Sequence, residues 1–245
     1  MLLFFLTGCL AHSNPLLTMN TLIDFLAHRT TTTPLPHEGR NLPPEIRAFR
    51  AGKQKLSRPP RVCAVLLAVF EDSGQLHVPF MQRPHDGTVH AGQISFPGGG
   101  KEPHDRHLFD TARREAEEEI GIQVAPQQII GTLSDIYIPP SHSLVTPVLA
   151  HLPKRPSGYV PDPREVAEVL EFSLSDLRKP EHQTQKVVTL PDRRRVPFFA
   201  VRIGEHEIWG ATGRILSEFF LLLDEWEQKL QANGANISAT SPKLW

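Results

Sequence analysis

The chain has 245 residues, of which 26 are lysine or arginine and 27 aspartate or glutamate, for a formal net charge of -1. That length favours one domain with extensions over two full domains, and the even balance excludes a global field for steering onto nucleic acid or an anionic membrane. The two cysteines, Cys9 and Cys63, lie far apart and imply no disulfide framework.

Residues 1–58 read as an N-terminal segment and linker. "MLLFFLTGCLAHS" is short and apolar, and its Leu6-Thr7-Gly8-Cys9 resembles a bacterial lipoprotein cleavage box, although no positive region precedes it. The rival start is Met19, because "NTLIDFLAHR" already makes an amphipathic opening helix with Leu22, Ile23, Phe25 and Leu26 on adjoining faces. The expected address is cytoplasmic, with lipid anchoring through Cys9 as the minor alternative. From 30 to 61 proline and polar residues interrupt every apolar pattern except a short helix at "PPEIRAFRAG".

A domain is expected over 59–232. It opens with "RVCAVLLAVF", an apolar run that predicts a strand buried on both faces, with Cys63 as a small core residue. After the turn "EDSG", "QLHVPFMQR" completes a hairpin. Further strands are predicted at "GQISF", "IIGTLSDIYI", "SLVTPVLAHL", "EVLEFSL", "KVVTL", "VPFFAVRI" and "HEIW". One helix is predicted over 106–119, stopped by Gly121, and a second over 212–231, where Ile215, Leu216, Phe219, Phe220, Leu223, Trp226 and Leu230 form a core stripe. Strands mixed with two long helices predict an α/β sheet sandwiched between helices, and residues 233–245 a flexible tail.

The chemistry concentrates in "RREAEEEIG", residues 113–121. Glu115, Glu118 and Glu119 stand at i, i+3 and i+4, so their like charges gather within one turn, at a cost of about 0.2–0.5 kcal/mol per pair. Arg114 to Glu118 and Arg113 to Glu117 can bridge across a turn, which leaves Glu115 and Glu119 without partners. Three converging carboxylates also suit a hard divalent cation such as Mg²⁺ or Mn²⁺. The salt-bridged face and the metal site both stand at this point. Upstream, "SFPGGGKEPHD" brings three glycines to the turn before the helix, where backbone can approach a ligand or merely bend.

Residues 98–122 resemble the signature of the Nudix hydrolases, G-x5-E-x7-R-E-U-x-E-E-x-G-U with U aliphatic. Arg114, Glu115, Ala116, Glu117, Glu118, Glu119, Ile120, Gly121 and Ile122 match its second half. In the first half Arg106 falls on the glutamate position and Asp105 sits one residue early, so the role of Asp105 is open. "PFMQRPHDGTVHAGQISFPGG" resembles the stretch that precedes the box in the coenzyme A branch of that family, keeping Arg83, Gly92, Phe96, Pro97, Gly98 and Gly99, with Thr88 where an arginine is expected. "YIPPSHSLVTPV", "REVAEVLEF" and "IWGATGRIL" resemble the same branch in the same order.

The resemblance implies a Nudix-type α/β/α sandwich with a mixed sheet and a loop-helix-loop. It implies Mg²⁺ or Mn²⁺ held by Glu115, Glu118 and Glu119, with a backbone carbonyl near Gly98 as a further ligand and Arg114 orienting the cluster. The general base is Glu118 or a carboxylate of "PREVAEVLEF", with Glu165 favoured. The implied reaction is hydrolysis of coenzyme A or acyl-coenzyme A to 3',5'-ADP and 4'-phosphopantetheine. A substrate with a 3'-phosphate needs cations, for which Arg83 is the first candidate, with His90 and Gln93 beside it, and Trp209 is a candidate to stack the adenine, against its reading as core. ADP-ribose, a dinucleotide or an oxidised nucleotide is the alternative substrate, and a catalytically silent nucleotide-binding module the alternative class. The expected partner is thus a small nucleotide, with no nucleic acid and no membrane unless Cys9 is lipidated.

Overall fold

The computed structural model describes residues 15–32, 34–38, 42–85, 87, 91–189 and 193–232. The Cys9 box, Thr88, His90 and the 233–245 tail lie outside the described residues. In chain order the elements are α1 Pro15–Thr32, α2 Pro44–Arg50, β1 Arg61–Asp72, β2 Gln75–Gln82, β3 Ile94–Ser95, β4 Gly98–Gly100, α3 Leu108–Ile120, β5 Ile129–Thr132, β6 Ile136–Ile138, β7 Ser143–Leu152, β8 Glu168–Ser173, α4 Leu174–Leu177, β9 Gln183–Thr189, β10 Arg195–Ile203, β11 His206–Ile208 and α5 Gly210–Ala232.

Among the described residues eight strands make one mixed sheet in the order β3-β2-β1-β7-β5, with β4 also on β1, β6 on β7 and β8 on β2. β1 runs antiparallel to β2 and parallel to β7. The predicted two-sided burial of β1 holds. Ala64, Leu66, Ala68 and Phe70 alternate to one face and pack with Ala112, Ala116 and Ile120 of α3. Leu67 and Val69 point the other way, into a larger core with Leu22 and Leu26 of α1 and Ile215, Leu216 and Phe219 of α5. Period-two alternation thus feeds two cores, each buried leucine or phenylalanine contributing roughly 1.5–3 kcal/mol. β9, β10 and β11 form a separate sheet whose Val201 and Ile208 complete the α5-side core. The result is the expected α/β/α sandwich.

The predicted opening helix forms, and it is packed on the domain through Leu22 and Leu26 and an Arg29–Glu225 ion pair of 2.9 Å. Two local expectations are corrected. "IIGTLSDIYI" is two strands, because the Ser134 amide and hydroxyl turn away from β7 to donate to Glu218 of α5 at 2.8 and 2.6 Å, which breaks the ladder between β5 and β6. The glycine triplet is a strand, β4, paired antiparallel to β1 with Cys63, Ala64 and Val65 opposite Gly100, Gly99 and Gly98. Among the described residues no helix is long and apolar enough to cross a membrane.

Candidate active site

α3 begins two residues later than predicted because the Asp110 carboxylate accepts the amides of Arg106 and His107 at 3.1 and 3.0 Å, making those residues its cap. Gly121 ends it in the left-handed region at φ 73°, donating to the Glu117 carbonyl at 3.1 Å. The face turned to the sheet carries Ala112, Ala116 and Ile120, and Glu119 lies on its margin, only 3 % exposed. Hydrophobic packing therefore forces one of the glutamates inward.

β4 runs beside this helix, and it has no side chains for a spatial reason. A Cβ at Gly98 would collide with the Ala64 carbonyl and Val65, and one at Gly99 with the Glu115 carboxylate. A Cβ at Gly100 would stand 2.5 Å from Nε and Nη2 of Arg61. Leu66 N donates to the Pro97 carbonyl and Lys101 N to the Val62 carbonyl, so alternation turns Gly98 and Gly100 away from β1. Gly98 N accordingly donates to Glu119 at 2.7 Å, and the Gly100 carbonyl accepts Arg114 Nη2 at 2.9 Å. The Gly98 carbonyl faces the same side as its amide.

Arg114 is the hub. Its Nη1 donates to Glu115 and Glu118, both at 3.0 Å, and its Nη2 to Asp105 at 3.1 Å. The expectation that Glu115 and Glu119 lack partners is thereby corrected: one guanidinium reaches two glutamates, and the Gly98 amide serves the third. The Arg113–Glu117 bridge is also corrected, since Arg113 turns to the Val124 carbonyl and Asp110 while Glu117 accepts Gln123 Nε2 at 2.8 Å. Asp105, whose role the sequence left open, is 3 % exposed and also accepts Thr111 Oγ1 and Glu102 N, both at 2.9 Å. Its hydrogen bonds with Arg114 hold its carboxyl well below the usual carboxylate range and hold the guanidinium above its own. Asp105 anchors Arg114 from one residue off the family position.

Charge repulsion concentrates on the two inner glutamates. Burial raises the Glu115 pKa, and Glu118 and Glu165 add to it against the relief from Arg114. Burial pushes Glu119 up to about 8, with Glu115 and Glu165 adding to it and the Gly98 amide and Arg83 opposing. Among the described residues no three His, Cys, Asp or Glu side chains stand close enough to form a ready metal cage. Arg114 draws Glu115 and Glu118 together while Glu119 is held by Gly98. The donors nevertheless suit a hard divalent cation, since they are all oxygens and a bound cation would favour the ionised form of Glu119 that burial and its neighbours disfavour.

Glu165 lies on the loop between β7 and β8, exposed, its charge felt by both Glu115 and Glu119. That loop covers the end of α3 through Val160 N to the Ile120 carbonyl at 3.1 Å and Asp162 N to the Glu119 carbonyl at 2.9 Å. Sequence reasoning missed what pins it. Tyr159 Oη donates to the Glu171 carboxylate of β8, and Arg155 Nη2 joins the same carboxylate at 2.8 Å. No local pattern connects those three residues. Arg83 follows β2, with its amide on the Gln93 carbonyl at 3.0 Å and its charge acting on Glu119. Trp209 is already engaged: Lys186 Nζ sits 4.3 Å from its ring centroid and Phe198 meets it edge-on at 6.4 Å. The adenine platform assigned to it thus has a lysine over its ring.

A mixed sheet between helices, with a bare glycine strand laid against a glutamate helix, defines the class of this domain. The chain belongs to the Nudix family, since the family model described as "NUDIX domain" matches residues 59–192. It is 35 % identical over 163 residues to Nudix hydrolase 22, chloroplastic, of Arabidopsis thaliana, covering 64 % of this chain and 53 % of that protein. It is 34 % identical over 135 residues to the mitochondrial coenzyme A diphosphatase NUDT8 of Homo sapiens, covering 55 % of this chain and 56 % of the human one. The chain thus spans about half the length of these relatives. In fold it is similar to a MutT/nudix family protein from Enterococcus faecalis, with a TM-score of 0.52 at 19 % identity, covering 81 % of this chain and 77 % of that one.

Proposed function

We propose that the chain is a divalent-metal-dependent hydrolase of a nucleoside diphosphate derivative, with coenzyme A or its acyl esters as substrate. The carrying observation is the pair of inner carboxylates, Glu115 and Glu119, pressed against a side-chain-free strand with Arg114 beside them. A protein that needed only a fold would gain nothing from carboxyls whose ionised forms burial disfavours in this way. Glu115, Glu118 and Glu119 are the proposed holders of Mg²⁺ or Mn²⁺, with the Gly98 carbonyl as a further oxygen. When bound, such an ion supplies positive charge that neutralises the diphosphate and acidifies the attacking water.

The chain's own residues do the rest. Arg114, locked by Asp105, fixes the angle of Glu115 and Glu118. Glu165, exposed and outside the Arg114 network, takes the proton of the water as its oxygen attacks phosphorus, and the bond to the bridging oxygen breaks. Arg83 contributes a cation on the Glu119 side, with Gln93 adjacent. The coenzyme A assignment is supported by the retained Arg83 and Gly92 to Gly99 stretch and by the similarity to a protein named a coenzyme A diphosphatase. Thr88, in place of the expected arginine, favours ADP-ribose as the second reading.

The test is product analysis with coenzyme A and ADP-ribose, each with Mg²⁺ or Mn²⁺, in heavy-oxygen water. The expected products are 3',5'-ADP and 4'-phosphopantetheine, one carrying the label. Faster turnover of ADP-ribose would replace the substrate; tight binding of both without cleavage would leave a binding module.

A further inference from the structure

From Ile46 to Phe70 the sequence holds Arg47, Arg50, Lys53, Lys55, Arg58 and Arg61 and no acidic residue, in a chain whose net charge is -1. A basic run is ordinarily just solvated, so its placement decides what it can do. This one is fastened at both ends. Leu42 and Ile46 dock on Leu144, with Leu56 and Tyr137 packed around them. Further on, the Arg58 carbonyl meets His142 Nε2 at 3.1 Å, and Arg61 N donates to the His142 carbonyl at 2.9 Å. The segment therefore lies along the turn between β6 and β7 and delivers its charges to the start of β1.

Two of the six cations are occupied: Arg50 pairs with Asp135, and Arg47 Nη2 donates to the Leu42 carbonyl at 3.2 Å. Lys53, Lys55, Arg58 and Arg61 make no salt bridge among the described residues. Arg61 is the telling one, because its guanidinium occupies the space that a side chain at Gly100 would need, and the Gly100 carbonyl binds Arg114 Nη2 at 2.9 Å. One residue away, the Glu115 carboxylate covers Gly99 in the same manner. An exposed arginine beside the carboxylates, with no salt bridge among the described residues, keeps a planar set of donors of the kind that takes a phosphate through two hydrogen bonds.

We infer that Arg61, reinforced by the field of Lys53, Lys55 and Arg58, is an anion subsite for a phosphate monoester carried by the substrate apart from its scissile diphosphate. The inference rests on the coenzyme A reading, because that substrate class carries a 3'-phosphate on its ribose. Its test uses binding alone and so stands apart from turnover. By calorimetry, wild-type protein is titrated with 3',5'-ADP and with 5'-AMP, which differ by that phosphate. The wild type is expected to prefer 3',5'-ADP by about tenfold or more, on the scale of a charge-assisted bidentate contact. Arg61→Gln removes most of that preference and leaves 5'-AMP affinity unchanged, Arg61→Lys restores part of it, and Lys53→Gln with Lys55→Gln weakens 3',5'-ADP about two- to threefold. An unchanged ratio in Arg61→Gln, or equal loss for both nucleotides, overturns the subsite. Failure to cleave coenzyme A while the ratio behaves as expected would overturn the proposed reaction instead.

Discussion

Glu119 and Glu218 are both buried glutamates, 3 % and 2 % exposed, on helices that pack on opposite faces of one sheet. Glu218 accepts three hydrogen bonds, from His37 N at 2.8 Å, Ser134 N at 2.8 Å and Ser134 Oγ at 2.6 Å. Among the described residues Glu119 accepts one, from Gly98 N, and it faces the charges of Glu115 and Glu165. Burial alone is therefore no mark of function. A buried carboxylate ringed by neutral donors is a fastening, here tying the 34–38 and 133–135 segments to α5. One left short of donors and crowded by its own kind is a site that awaits positive charge.

Neutralising each glutamate in turn separates the two roles. Glu119→Gln is expected to lower turnover by more than about a hundredfold, beyond what loss of a supporting residue costs. The same change should make the metal-free protein more stable at pH 8. An unfolded glutamate ionises near 4.5 and the folded Glu119 near 8, so between them the folded state keeps a proton that the unfolded state has lost. Stability in chelator is then full below pH 4.5 and falls as pH rises to 8, by on the order of 4 kcal/mol. Urea unfolding across that range measures the slope, which Glu119→Gln should flatten. Glu218→Ala should do the reverse, costing about 3 kcal/mol or more because three donors lose their acceptor. If Glu218→Ala were harmless and Glu119→Gln merely destabilising, the distinction would collapse.

A smaller effect is expected at Asp105, which touches no substrate. Asp105→Asn should lower kcat about ten- to a hundredfold with KM little changed, by freeing Arg114 to swing from Glu115 and Glu118. Asp105→Glu should recover part of that, which a purely structural role would not predict. The smallest effect belongs to the loop that carries Glu165. Tyr159→Phe removes one bond to the Glu171 carboxylate and should cost about 1.5–3 kcal/mol in urea, with activity retained at saturating substrate.

What the sequence made legible was periodic or consecutive. The unbroken apolar run in "RVCAVLLAVF" announced a strand between two cores, and the i, i+3, i+4 spacing announced three glutamates over one turn with Arg114 among them. Contacts between distant segments stayed hidden. Nothing local says that Ser134 answers to Glu218, 84 residues away, or that Tyr159 meets Glu171. The glycine triplet misled for another reason: glycine has low strand propensity, and β4 forms because neighbouring groups need the room. Asp105 could have been found by asking which acid lay nearest the displaced family position. Its grip on Arg114 depends on a turn that also binds Glu102 N.

The three glycines of β4 are filled from outside, by β1, by Glu115 and by Arg61. A wall made of main chain offers no side chain to exchange, and even a methyl group would displace one of those tenants. Mutation can therefore retune this protein only around the wall. A change in what such a site accepts has to be written in the residues around it: the arm before β1, Arg83 with Gln93, and the loop bearing Glu165.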